Sequence, residues 1–202
     1  MSDHDEHGVA LVIVMMTITL LTALGAALAL ATITETGIAA HYRDAAEALY
    51  AAEAAVEFVV QEIADVPDWR DVIAESGRST FVDGPADGIR TVGAVTLDLA
   101  HETRDVNAIP AAAPGAVSPA RVLYAFGRFR DLVPSRMNRS RIYVAVWVAD
   151  RSETPGDETS VPEALSILGQ AYGALGSRRA VETIVVKADT STIRAVSWRE
   201  LR

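Results

Sequence analysis

Between Gly8 and Glu35 the chain carries no charged side chain: residues 9–34 read VALVIVMMTITLLTALGAALALATIT, and MSDHDEHG precedes them. At ~1.5 Å rise per residue, a helix of this length covers the ~30 Å hydrocarbon core of a bilayer. No ordinary soluble domain leaves such a surface in water, so this segment belongs in a membrane or inside an assembly. A cleaved secretory signal fits poorly. Such a signal wants a basic leader, an apolar region of ~7–15 residues and a small-x-small cleavage site, whereas this leader is acidic and the run passes directly into further helix-forming sequence.

The apolar segment also changes how the charge is read. Of the formal net charge of −9, most lies in the N-terminal third: up to Glu62 the only basic residue is Arg43, against nine acidic side chains. Beyond Ala64 the signs nearly cancel, so nucleic acid is not an expected partner. Without cysteine, neither a disulfide framework nor a thiolate metal site is available. About 140 residues follow the N-terminal helix, enough for one compact domain. By itself the distribution of Lys and Arg about the span leans weakly towards a leader outside the cytoplasm, because the leader has neither and Arg43 lies several residues past the far end, so the orientation must be read from elsewhere.

From Thr36 to Ala64 alanine and glutamate dominate, and no proline intervenes before Pro67, which predicts continuation of the same helix. Tyr42, Leu49, Val56 and Ile63 recur every seven residues, with Ala45, Ala52 and Val59 between them. This spacing predicts a narrow apolar seam with Arg43, Asp44, Glu47, Glu57 and Glu62 solvated beside it. Span and seam together make one helix of ~50 residues, with Gly25 and Gly37 as its weak points. The seam suits packing against the chain's own domain or against other helices. A membrane-proximal coiled coil is the alternative, weakened by the alanines at its intermediate positions.

Downstream, Pro67-Asp68-Trp69 predicts a break and a short helical turn up to Glu75. Strands are expected over Ile89–Leu99, Val122–Arg130, Ile142–Val148, Ala180–Ala188 and Ile193–Trp198, the third apolar on both faces and central. The last two are expected to form a hairpin around Asp189-Thr190-Ser191. Pro110, Pro114 and Pro119 mark a long loop, and Ser160-Val161-Pro162-Glu163 reads as a capping box opening a short helix over Ala164–Ala171. The expected class is α+β, a long N-terminal helix packed on an antiparallel sheet. The segments are residues 1–8, 9–34, 35–66 and 67–202.

Enzyme motifs are missing: there is no Gly-rich phosphate loop, HExxH or GxSxG. The reading is therefore a non-enzymatic chain with no cofactor and no metal. His4 and His7 lie among leader acids; His41 and His101 stand alone. Asp150, Glu153, Asp157 and Glu158 lack calcium-loop spacing and read as a solvated turn. Arg121, Arg128, Arg130, Arg136, Arg139 and Arg141 surround Tyr124, Phe126 and Phe129. A DNA-backbone or subunit contact is conceivable there, but a solvated strand face is the expectation.

The leader ending in Gly8, followed by Val9-Ala10-Leu11-Val12, resembles the class III signal of type IV prepilins. Tyr42-Arg43-Asp44, the segment from Leu49 to Glu57 (LYAAEAAVE) and Val66-Pro67-Asp68-Trp69 are similar to the N-terminal region of PilX-type minor pilins. The resemblance covers about the first 70 residues. It implies a pilin-like fold and a leader in the cytoplasm. It also implies cleavage between Gly8 and Val9 by prepilin peptidase, followed by methylation of the new amino group on Val9. The subunit is stored as a single-pass inner-membrane protein with its globular domain in the periplasm. It then packs through its helix against major and other minor pilins in a pilus at the cell surface. Removal of the acidic leader resolves part of the orientation question.

Two departures stand out. Ile13 occupies the fifth mature position, where major pilins carry a glutamate that pairs with a neighbour's N-terminal ammonium. Such a pair is worthwhile in an apolar setting only with both members present, so Ile13 suits a minor subunit that primes or caps the filament. His7 stands where a Lys or Arg often precedes the cleavage glycine. The alternatives are a tip pseudopilin of type II secretion, whose globular domain is usually larger, and a single-pass membrane-anchored periplasmic binding or sensor domain.

Overall fold

A computed structural model describes residues 3–74, 78–108, 120–133, 139–151, 164–189 and 192–201. The chain divides into two compact units, Met1–Arg43 and Asp44–Arg202. Helix α1, Asp3–Ala64, supplies all the described structure of the first unit and the opening element of the second. Gly25 and Gly37 lie within it without interrupting it, and a Cβ at either would meet nothing within 4 Å.

In the second unit α1 ends before Pro67, and a four-residue helix follows, α2, Arg70–Ile73. It is shorter than the turn expected to reach Glu75, which lies outside the described residues. The single strand expected over Ile89–Leu99 is instead a hairpin of β1, Ile89–Val92, and β2, Val95–Asp98. Gly93 opens its two-residue turn at φ +60°, a conformation that glycine adopts without steric cost. Leu99 begins a helix, α3, Leu99–Ala108, which sequence patterning did not anticipate. Asp98 caps it, its Oδ1 accepting the backbone N–H groups of Ala100 at 3.0 Å and His101 at 3.1 Å.

The main sheet comprises β3, Val122–Arg128; β4, Tyr143–Asp150; β5, Ala164–Tyr172; β6, Arg178–Asp189; and β7, Thr192–Leu201. A one-turn helix, α4, Phe129–Leu132, ends the strand expected over Val122–Arg130 two residues early, after Arg128. All neighbours in the sheet are consecutive and antiparallel, which gives an up-and-down meander. β6 and β7 form the expected C-terminal hairpin; Thr190 and Ser191 lie outside the described residues. Tyr143 through Ala149 are all buried, as the two-faced apolar pattern requires, with β5 rather than β4 at the centre of the sheet.

The helix expected over Ala164–Ala171 is β5, a correction with a clear physical cause. β5 lies between β4 and β6, and Leu165 through Tyr172 are buried. A strand covered on both faces loses the alternation that marks a half-exposed one. Its Ala, Leu and Gln content then mimics a helix, and the capping residues Ser160–Glu163 lie outside the described residues. One face of the sheet packs Val144, Val146, Val148, Leu165 and Ile167 against Ala48, Ala52, Val56, Val59 and Ile63 of α1. The other packs Trp147, Leu168 and Tyr172 against Leu97, Leu99 and Val106. The α+β class holds, with the sheet between α1 and a layer made by the β1–β2 hairpin and α3.

Candidate assembly site

In the first unit the helix surface from Val9 onward is uncovered: none of its most apolar 18-residue stretch is buried, and Ile13 is 58% exposed. The helix is long and apolar enough to cross a membrane. Its threonines are adapted to that setting. Thr17, Thr19, Thr22, Thr32 and Thr34 each donate their hydroxyl to the carbonyl four residues earlier, at 2.7–3.0 Å. Each hydroxyl is thus satisfied within the helix and asks nothing of its surroundings, as an apolar environment demands. The surface that remains is purely apolar, suited to lipid or to other helices. Gly8 and Val9 both lie in α1.

In the second unit α1 is fixed by small residues and by two carboxylates. Gly169 on β5 passes so close to α1 that an added Cβ would overlap Val56 Cγ2 and stand 3.0 Å from the Ala52 carbonyl oxygen. The Ala-rich seam and this glycine together let helix and sheet approach. The packed stripe is Ala48, Ala51, Ala52, Ala55, Val56, Val59 and Ile63. Tyr42, expected to begin the seam, is 78% exposed and lies in the first unit.

Asp44 and Glu62, expected to be solvated, are anchors. Asp44 Oδ2 accepts the backbone N–H of Leu175 at 3.2 Å and of Ser177 at 3.4 Å, holding the β5–β6 turn. Glu62 Oε1 accepts both the N–H and the hydroxyl of Thr80 at 2.8 Å. The buried Tyr124 phenol lies beside Glu62; burial, then the Glu62 charge, pushes its pKa up to about 12. At the end of α1, Trp69 Nε1 donates to the Ile63 carbonyl at 3.2 Å, and Lys187 Nζ donates to that of Pro67 at 2.6 Å. Asp44 and Glu62 sit beside the seam by helical spacing, but their partners come from loops remote in sequence. Composition carries no signal for that pairing.

Residues 7–57 match the family described as PilX N-terminal, about a quarter of the chain. This N-terminal stretch is similar to that of PilX-type pilins. The matched stretch begins just before Gly8 and runs through the uncovered helix into the packed stripe. Neither a curated protein nor a solved structure matches the chain. PilX-type pilins are structural subunits of type IV pili, which agrees with the uncovered helix as an assembly element.

The remaining sequence candidates scatter. His41 is exposed on α1, and His101 stands 3.4 Å from Asp105 on α3. Asp150 ends β4, while Glu153, Asp157, Glu158, Pro110, Pro114 and Arg136 lie outside the described residues. Among the described residues no three His, Asp or Glu side chains gather to hold a metal. Arg121 separates from the other arginines. It joins Arg199 and Ser166 around the buried Glu182, with Ser166 Oγ donating at 2.7 Å and Arg121 pairing at 3.3 Å. Burial alone would raise the Glu182 carboxyl. The Ser166 and Arg199 hydrogen bonds and the two guanidinium charges outweigh it and hold the group below the usual carboxylate range. Two further carboxylates tie the second layer to the sheet: Asp83 accepts from Tyr143 Oη at 2.9 Å and pairs with Arg90 at 2.8 Å, and Glu102 accepts from Tyr172 Oη at 2.9 Å and pairs with Arg178 at 2.8 Å.

Proposed function

We propose that this chain is a minor pilin that primes or caps a type IV pilus. The observation that carries the reading is a coincidence along one helix: the PilX-type match over residues 7–57 takes in the whole charge-free run of residues 9–34, whose side chains are uncovered. Prepilin peptidase cuts between Gly8 and Val9, and Val9 becomes the methylated N-terminus. Glycine suits that position because an extended backbone without a side chain enters a narrow protease cleft. The span holds the subunit in the inner membrane, leader in the cytoplasm and second unit in the periplasm, until the same apolar surface packs against major and other minor pilins. Ile13 gives no carboxylate to a neighbour's terminal ammonium, which supports a rare priming or capping position over a repeating one. The role is structural, without catalysis.

Mass spectrometry of the chain isolated from its native membrane tests this. The expected species begins with N-methylated Val9, and Gly8→Arg is expected to accumulate the precursor with its leader attached. An intact Met1 in the wild-type chain, or normal processing of G8R, removes the reading in favour of a plain single-pass anchored domain.

A further inference from the structure

The arginines left over from the Glu182 network converge. Arg128 ends β3, Arg130 lies in α4, and Arg139 and Arg141 lead into β4, opposite Tyr143 and the Gly93 turn; together they line a concavity of about 340 Å³. All four are exposed. Elsewhere in the second unit, arginines that hold structure are given carboxylates, as Arg90 is by Asp83 and Arg178 by Glu102. In the concavity only Arg130 has one, Asp131 at 3.7 Å, with both side chains about half exposed. Among the described residues Arg128, Arg139 and Arg141 meet none.

A guanidinium cannot shed its proton to relieve crowding, so four of them around one hollow, with Asp131 the one carboxylate paired there among the described residues, favour an anion that bridges them. The shape of the donor set narrows the anion. A planar carboxylate is satisfied by one guanidinium fork, whereas forks arriving from β3, α4 and the entry to β4 suit a tetrahedral oxyanion that offers oxygens in several directions. Tyr124 and Phe126 are buried away from the hollow, and Phe129 packs against the core. Tyr143 lines the hollow but is 2% exposed, with its hydroxyl donated to Asp83, so no open ring face is available there for stacking a base.

We propose that this concavity is a binding site for a phosphate-class oxyanion, carried either by a soluble phosphate or by a phospholipid headgroup. The inference is independent of the pilin reading and survives its failure.

The test uses the full chain in neutral phosphatidylcholine nanodiscs, titrated calorimetrically with inorganic phosphate at low salt. Saturable binding is expected, and the double variant Arg139→Gln with Arg141→Gln is expected to weaken it at least tenfold. The charge-matched control Arg151→Gln with Arg194→Gln is expected to bind as the wild type. An unchanged circular dichroism melt verifies that both variants are folded. Repeating the titration in discs containing phosphatidylglycerol separates the sources. Competition with added phosphate assigns the site to a headgroup, and an unchanged affinity assigns it to a soluble phosphate. Absence of phosphate binding by the wild type, equal binding by R139Q/R141Q, or tighter binding of acetate than of phosphate overturns the proposal.

Discussion

Gly169 on β5 and Val56 on α1 approach so closely that a single methyl group at Gly169 would overlap the valine Cγ2. The nearby Ala52 carbonyl is backbone and cannot swing aside, and a valine in a helix has essentially one comfortable rotamer. Gly169→Ala therefore pushes α1 off the sheet. The expected cost is that of overpacking a filled core, about 1–3 kcal/mol, read as a lower midpoint in thermal unfolding. Adding Val56→Ala to the glycine variant should recover part of the loss, since it removes the overlapped methyl. A Gly169→Ala melt that coincides with the wild type would show that helix and sheet do not need this approach.

The network on the opposite face predicts an acid-labile contribution. Glu182 is held below its ordinary pKa, so the folded state favours the carboxylate more than the unfolded chain does. Its stabilisation is complete above pH ~4.3, the unfolded value, and is lost as the pH falls through the lower folded pKa. Glu182→Gln strands the Arg121 guanidinium, which is only 10% exposed, while Arg199 is about half exposed. The cost at pH 7 is accordingly put below that of a fully buried broken pair, at about 1–3 kcal/mol. Denaturant melts between pH 7 and pH 3 should show the wild type losing its advantage over the glutamine variant as acid is added.

Asp44 stands at the start of the second unit and accepts two amides of the β5–β6 turn. With Asp44→Ala those amides lose their acceptor while the core beneath is untouched. Net hydrogen-bond contributions of about 0.5–1.5 kcal/mol translate into roughly two- to tenfold faster hydrogen exchange at Leu175 and Ser177, with global stability little changed. Exchange that accelerates throughout the sheet would instead mean that Asp44 holds the fold and not just the turn.

These side chains mark where sequence reading succeeds and where it stops. The apolar run was legible because the absence of charge over 26 residues has few physical interpretations. β4 and the C-terminal hairpin were legible because β-branched residues are dense and their ends abrupt. β5 was misread because coverage on both faces erases the alternation on which the reading depends. The helix α3 went unseen for the opposite reason: it buries only Leu99 and Val106, too few for a period to emerge, and its cap, Asp98, looked like the end of a strand. Asp44 and Glu62 looked like surface acids because a carboxylate's partner is set by the tertiary fold and not by its neighbours in the chain. The arginine concavity was half legible. The residue list was available, but only the fold separates Arg121, paired with Glu182, from Arg128, Arg130, Arg139 and Arg141, while Arg136 lies outside the described residues. The cleavage pair Gly8 and Val9 came entirely from family resemblance, since no local physics singles out that bond.

The contact between Tyr124 and Glu62 predicts alkaline behaviour. Burial and the Glu62 charge both favour the neutral phenol and push its pKa up to about 12, above the ordinary value of ~10. The stabilisation that follows is fully present below pH ~10 and is lost as the pH rises through about 12. In a spectrophotometric titration at alkaline pH, the difference between wild type and Tyr124→Phe isolates this one ring and should place its midpoint well above that of free tyrosine. Glu62→Gln removes the charge but keeps an oxygen for Thr80, so the midpoint should move down towards 10 without collapse of the fold. A Tyr124 midpoint indifferent to Glu62→Gln would leave burial alone as the cause, and the carboxylate would then be only the anchor for the Thr80 backbone and hydroxyl.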